Sequence, residues 1–335
     1  MTVRRVLITG GSGFVGLSLT EALLSAGVEV VSFDRKPALP TALDEFSRLP
    51  GRIEIVEGDI RDAERLLAAA QDTDAVIHGS AVTPNDANEA SSVDLTLAVN
   101  VGGTVNAIRA AARTRLRRMV FLGSASVYGA HAGTTETLDE VRTAPSPRSV
   151  YAISKYAAER LAERLASHKR ISLRCVRLGS VFGPWEHSSG VRNTLSAILQ
   201  ATATALFGGQ PCVLPRRGRR DWIYSRDVAN AVTKVLNAEG SISGPVNIGL
   251  GYEWTVLDWC DRLARSFPAF EYRLAEPGEE ATVDFHGGSD RPPLAIERLR
   301  GEIGFEPRYG LDAAFADYMG WIAPHSNFLK GQGYG

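Results

Sequence analysis

Along the first 180 residues the chain alternates between two rhythms of apolar and polar positions. Short runs rich in β-branched residues at 3–9, 29–33, 53–57, 75–78, 118–123 and 172–178 predict strands. The stretches 14–26, 63–70, 95–114 and 150–167 are alanine-rich, with apolar residues at helical spacing. Strands separated by helices of this length predict parallel strands joined by right-handed crossovers, hence a doubly wound α/β sheet. Such a sheet takes its ligands beyond the carboxyl ends of its strands, so a motif just after a strand outweighs one elsewhere.

After Gly183-Pro184 the rhythm changes. A helical run at 191–206 leads into an irregular, arginine-rich stretch, Pro215-Arg-Arg-Gly-Arg-Arg-Asp221, and short strand and helix pieces then alternate to about Ile322. The division expected is a sheet domain over 1–180, a smaller C-terminal α/β lobe over 181–323, and a mobile glycine-rich tail over 324–335.

Composition narrows the class. A net charge of −1 with 22% charged residues gives no reason to expect nucleic acid or an acidic membrane as partner. The three cysteines, Cys175, Cys212 and Cys260, form no CxxC pair, which fits a reduced cytoplasmic compartment. No signal peptide or membrane-length apolar run is evident. The six histidines are scattered and no metal spacing occurs, so no metal is expected.

The first strand runs into Gly10-Gly-Ser-Gly13-Phe14-Val15-Gly16 and then a helix. Glycines at such a turn let the backbone approach a pyrophosphate, and the helix N-terminus presents N–H groups to its charge. Asp34 ends the second strand, placed to hydrogen-bond a ribose 2′-hydroxyl and to repel a 2′-phosphate, which favours NAD over NADP. Asp59 and Ile60 after the third strand and Ala81 after the fourth complete the expected walls. His78, at the end of the fourth strand, reads as a packed histidine rather than a catalyst.

Tyr151 and Lys155 lie four apart in a strongly helical segment, one turn apart on one face. A tyrosine of pKa about 10 is a poor base at neutral pH, and a neighbouring ammonium brings its phenolate towards working range. Ser124, at the end of the fifth strand in Phe121-Leu-Gly-Ser124-Ala-Ser126, is placed to hydrogen-bond a substrate oxygen as Tyr151 exchanges its proton, with Ser126 beside it as a substrate contact.

These motifs, in this order, resemble the extended short-chain dehydrogenase/reductases, the NAD-dependent epimerases and dehydratases, over nearly the whole chain. Thr9-Gly-Gly-Ser-Gly-Phe-Val-Gly16 matches that family's cofactor turn, and Asn100-Val-Gly-Gly-Thr104 its central helix. Ser124, Tyr151 and Lys155 fall on its catalytic triad, and Arg220-Asp-Trp-Ile-Tyr-Ser-Arg-Asp227 resembles its Arg-Asp signature. The resemblance implies Rossmann-type topology, bound NAD contacted by Asn100 and by the tyrosine–lysine pair, and hydride exchange at a secondary carbinol of a sugar-like substrate. It also implies a homodimer packed through the helices carrying Asn100 and Tyr151.

Three departures from the family pattern bear on the substrate. Ala125-Ser126 stand where the dehydratases carry an Asp-Glu pair, so elimination chemistry is disfavoured. Ser180 replaces an asparagine that helps hold the diphosphate in nucleotide-sugar epimerases. In the C-terminal lobe only Arg291 stands in for the usual diphosphate-gripping element. Arg220 matches a phosphate-contacting position, and Arg192 opens the preceding helix as a further substrate contact. The commonest role of the family it resembles implies nucleotide-sugar epimerisation as the expected function, while Ser180 and the altered C-terminal lobe favour the alternative. An NAD-dependent dehydrogenase of a free sugar, uronate or aldonate is the alternative, and a non-catalytic NAD-binding regulator the remote one.

Overall fold

The computed structural model describes residues 3–85, 87–116, 118–131, 137–190, 195–208, 210–240, 242–285 and 289–330. Its strands are β1 (Arg5–Thr9), β2 (Glu29–Asp34), β3 (Ile53–Glu57), β4 (Ala75–His78), β5 (Arg118–Ser124), β6 (Ser172–Leu178), β7 (Ser180–Phe182), β8 (Cys212–Leu214), β9 (Trp222–Tyr224), β10 (Val246–Ile248) and β11 (Tyr272–Leu274). Its helices are α1 (Phe14–Ser25), α2 (Pro40–Phe46), α3 (Ala63–Ala69), α4 (Val93–Thr96), α5 (Gly103–Arg113), α6 (Val150–Lys169), α7 (Ala197–Phe207), α8 (Ser225–Asn237), α9 (Val256–Ser266), α10 (Glu297–Gly301) and α11 (Leu311–Lys330).

Seven strands form one sheet in the order β10-β6-β5-β4-β1-β2-β3, every pairing parallel. In β1 Val6 and Ile8 join one apolar core, with α1 and α8, while Leu7 joins the other, with α3 and α5. Side chains alternate across the sheet, so a strand covered on both faces must be apolar at successive positions. The order reverses between β4 and β1, the point where a doubly wound sheet opens a crevice.

The C-terminal lobe carries two small parallel pairs, β7 with β9 and β8 with β11. Phe182 is ringed by Trp222, Tyr224, Trp254 and Trp259 at centroid distances of 5.4–6.5 Å, and this aromatic cluster fixes the lobe against the sheet.

The chain departs from its sequence pattern in three places. The division at residue 180 is not followed by the sheet, because β10 returns from the C-terminal half to pair with β6. The expected helix over 95–114 is α4, a one-turn π-helical stretch Leu97–Gly102, and α5. A mobile tail from Pro324 is corrected up to Lys330: α11 continues through Pro324, and His325 and Leu329 are buried against the core. His325 Nε2 pairs with Glu45 Oε1 at 2.6 Å, which ties that end to α2. Residues 331–335 of the expected tail lie outside the described residues.

Candidate active site

The crevice at the β4–β1 reversal is a cleft of about 880 Å³ running from the glycine turn to the C-terminal lobe, within the usual size range of ligand sites. Gly10, Gly13, Phe14, Val15, Gly16, Asp34, Asp59, Ile60 and Ala81 all line it. At Gly10 and Gly16 the turn has no room for a side chain. A Cβ on Gly16 would lie 2.1 Å from the Gly10 carbonyl oxygen, and one on Gly10, at φ +74°, would lie 2.8 Å from the Ser80 nitrogen. Gly13 N-caps α1 and offers no side chain to its first turn, which suits that helix end to an anion.

Asp34 sits at the rim. Its carboxylate accepts hydrogen bonds from the backbone N–H groups of Ser12 (3.2 Å) and Arg35 (2.7 Å), and burial still pushes its pKa up. Asp59 is held the other way: Arg61 grips both its oxygens at 2.7–2.9 Å and lowers its pKa. Lys36 Nζ donates across the cleft mouth to the Ser189 carbonyl at 3.2 Å, joining the β2 end to the loop after β7. A crevice with a tight glycine turn, an open helix end and a carboxylate at the second strand's tip fits a dinucleotide.

His78 is fully buried between two hydroxyls, Thr9 Oγ1 at 2.7 Å and Thr104 Oγ1 at 2.9 Å. Thr104 donates its own proton to the Asn100 carbonyl, so the network assigns the ring proton to Nε2. Burial, with Lys155 adding to it, takes the pKa of His78 down to about 3, and the ring is a neutral structural link.

Asn100, expected among the cofactor contacts, does not line the cleft. Its amide is occupied behind the wall: Oδ1 accepts from Val82 N (2.8 Å), and Nδ2 donates to Val82 O (3.1 Å) and Ser154 Oγ (2.9 Å). Ser154 in turn donates to the Tyr151 carbonyl at 2.7 Å. Asn100 thus braces the helix that carries Tyr151.

Helix α6 begins under tight control. Ser149 caps it by accepting from Ala152 N at 3.1 Å, and Glu89 accepts from Val150 N at 2.7 Å. These contacts set Tyr151 and Lys155 on the cleft wall opposite Ser124, and all three line it. Ser124 Oγ accepts from Ser126 N (3.2 Å) and Ser126 Oγ (2.9 Å). Lys155 is buried, its Nζ 4.6 Å from the centre of the Phe121 ring, and burial lowers its pKa to about 8 against the opposing pull of Glu159. Even so lowered, it is mostly an ammonium at neutral pH.

Ser126, Ser180, Arg220 and Arg291 also line the cleft. Arg220 is buried with its guanidinium 5.7 Å from the Trp222 ring centre. Burial lowers its pKa to about 9, and the cations of Arg291 and Arg216 push it the same way. Arg291 is also lowered by burial, and Tyr151 is the charge partner that opposes this. Arg192 lies outside the described residues. Sequence reasoning did not single out Glu89, Arg148, Phe285 or the 187–189 loop, all of which line the cleft; each reaches it from a segment without a local motif. Among the described residues no group of three or more His, Cys, Asp or Glu side chains is arranged to hold a metal.

A parallel-sheet crevice with this glycine turn and this Ser–Tyr–Lys set defines an enzyme of the extended short-chain dehydrogenase/reductase type. Within that class the chain belongs to the NAD dependent epimerase/dehydratase family, whose sequence profile matches residues 6–249. It is 29% identical over 325 residues to a dTDP-glucose 4,6-dehydratase of Streptomyces niveus, covering 93% of this chain and 90% of that protein. It is 27% identical over 350 residues to UDP-glucose 4-epimerase of Bacillus subtilis (strain 168), covering 97% and 98%. The solved structure of MoeE5 in complex with UDP-glucose and NAD superposes with a TM-score of 0.76 at 25% identity, covering 96% of this chain and 99% of that one. The cofactor is NAD.

Proposed function

We propose that the protein is a nucleotide-sugar epimerase that acts at a secondary carbinol, with Tyr151, Lys155 and Ser124 as its catalytic groups. The observation that carries this reading is the continuity of one cleft from the Gly10–Gly16 turn, past Ser124, Tyr151 and Lys155, to Arg220 and Arg291. The far arginines suit a diphosphate, since guanidinium pairs with phosphate oxygens in bidentate geometry. The relatives named above for UDP-glucose and dTDP-glucose chemistry support the same class of substrate.

The residues divide the work as follows. NAD, held by the glycine turn and Asp34, supplies reversible hydride transfer at the carbinol carbon. Tyr151 takes the hydroxyl proton and returns it. The Lys155 ammonium favours the phenolate that can do so. Both lone pairs of Ser124 Oγ are occupied by Ser126, so its own O–H is left to donate to the substrate oxygen. Ala125-Ser126 follow Ser124 in place of two acidic residues, so no acid–base pair for removal of water stands there.

The second reading, a dehydrogenase of a free sugar, uronate or aldonate, is favoured by one observation. Arg291 interacts electrostatically with Tyr151, where it suits a carboxylate close to the reacting carbon. Purified protein incubated with UDP- and dTDP-hexoses and with free sugar acids separates the two. Isomer interconversion without NADH release supports the epimerase; net NADH from a free acid overturns it.

We further infer a homodimer and a cytoplasmic location. Leu95 on α4, Leu97 just after it, and Ile153 and Leu161 on α6 are large apolar side chains left exposed on neighbouring elements, as a self-association face requires. A monomer in equilibrium sedimentation overturns the dimer. Three free, buried cysteines fit a reducing compartment.

A further inference from the structure

We propose that Glu159 is a positioning residue for Lys155: it is buried one turn further along the same face of α6, and Arg177 locks it there. The proposal rests on the reading of Tyr151 and Lys155 above, and extends it to residues that line no part of the cleft.

Helix α6 sets Tyr151, Lys155 and Glu159 at successive intervals of four, which is one helix face. Lys155 and Glu159 are both buried on it, at 3% and 0% exposure. The other groups around Lys155 carry no negative charge. From β5 comes the Phe121 ring. From β4 comes His78, neutral through burial. From β6 comes Cys175, whose thiol burial holds well above its ordinary range. Glu163, a turn further on, is paired with Arg160 at 2.5 Å and faces Glu159 and Arg177 rather than Lys155. The negative charge of Glu159 is the main influence that sustains the charge of Lys155 against burial.

A carboxylate that simply neutralised Lys155 would cancel the field Tyr151 needs. Arg177 prevents this by gripping Glu159 through Nη2–Oε1 at 2.6 Å and Nε–Oε2 at 3.0 Å. Lys155, Glu159 and Arg177 together keep one positive charge under the tyrosine. Arg177 is fixed in turn, donating through Nη1 to Tyr128 Oη at 2.9 Å, and Tyr128 donates to Asn247 Oδ1 at 2.9 Å. Asn247 donates to the Leu138 carbonyl at 2.8 Å. The chain of bonds spans α6, β6, the segment after β5 and β10. Those are the elements that must hold register for Ser124 and Tyr151 to face each other.

The test follows the ionisation of Tyr151 rather than turnover, so it stands even where no substrate has been found. Phenolate absorbance near 295 nm is recorded against pH on the NAD-bound protein, and the trace of Tyr151→Phe is subtracted to isolate Tyr151. Removing only one of the buried pair strands a charge, so Glu159→Leu and Arg177→Met are combined, a replacement that buried ion pairs often tolerate. Lys155 then loses its proton at lower pH, and the Tyr151 midpoint rises by about one pH unit. A folded, NAD-binding double variant with an unshifted midpoint overturns the proposal. Glu159→Asp, which keeps the ion pair and withdraws the carboxylate by one methylene, covers the case of a double variant that does not fold. It raises the midpoint by a smaller step, and an unchanged midpoint in it overturns the proposal equally.

Discussion

Ser126 donates to Ser124 twice, through its backbone N–H at 3.2 Å and its hydroxyl at 2.9 Å, so the Ser124 oxygen enters the site with its acceptor capacity already used. A serine hydroxyl has one proton and two lone pairs. Ser126 therefore makes Ser124 a donor.

Ser124→Ala removes that donor while leaving Tyr151 and the cofactor cleft in place. A hydrogen bond to a developing negative charge is worth about 1.5–3 kcal/mol, so kcat/KM is expected to fall about 10- to 100-fold. Steady-state kinetics on the substrate found in the panel checks this, and wild-type kcat/KM removes Ser124 from its role.

Lys155 holds charge in a place that disfavours it, and this gives a stability prediction with a definite sign. Its folded pKa is lowered to about 8 from an ordinary 10.5, burial being the largest cause. Between those values the unfolded chain binds more protons than the folded one, so stability rises as pH climbs through that window. Below pH 8 the full cost is present, roughly 3 kcal/mol. Lys155→Met is therefore expected to be inactive and, without cofactor, more stable than wild type by that amount at pH 7. The difference should vanish above about pH 10.5. Urea unfolding at pH 7 and at high pH measures both.

Gly16→Ala tests the cofactor turn sterically. The added Cβ would sit 2.1 Å from the Gly10 carbonyl oxygen and 2.8 Å from the Gly11 backbone, and neither is a flexible side chain that can swing away. The turn must open, so NAD affinity is expected to drop at least about tenfold, with about 1–3 kcal/mol lost from stability. Calorimetric titration with NAD and thermal unfolding read the two effects.

Asp34→Asn removes the charge at the rim and leaves one side-chain oxygen, so only one of the Ser12 and Arg35 N–H groups, now accepted by separate carboxylate oxygens, keeps its acceptor. Repulsion of a 2′-phosphate is then relieved, with the Arg35 cation already adjacent. The ratio of NADP to NAD affinity is expected to rise about tenfold, of order 1.4 kcal/mol. An unchanged ratio means Asp34 does not set the preference.

Much of the sheet was legible because its signal is local. β4 is buried at every position and reads as an unbroken apolar run, the edge strand β3 alternates, and the predicted limits of β3, β4 and β6 match the observed ones. The positions of Ser124, Tyr151 and Lys155 were legible for the same reason, since a strand end and an i,i+4 helix spacing can be read without knowing the fold. What escaped depends on contacts distant in sequence. β10 is three residues long, and only its pairing with β6 makes it a strand. Glu89 reaches α6 across 61 positions and Lys36 reaches Ser189 across 153. Glu159 and Arg177 look like a surface helix acid and a strand cation until both prove buried. Asn100 was legible as a site residue, but its occupation by Val82 and Ser154 was not.

The central claim, proton exchange at Tyr151 during reversible oxidation of a nucleotide sugar without loss of water, is tested most directly by one experiment. UDP-glucose and dTDP-glucose, deuterated at the ring carbinol carbons, are incubated with wild type and with Tyr151→Phe, and the products are resolved by NMR. The account predicts epimers that retain deuterium at the inverted carbon, no deoxy-keto sugar and no accumulated NADH from wild type. It predicts a rate lower by about 10²–10⁴-fold from Tyr151→Phe, with NAD still bound. A deoxy-keto sugar as the main product, or a Tyr151→Phe variant as fast as wild type, would contradict it.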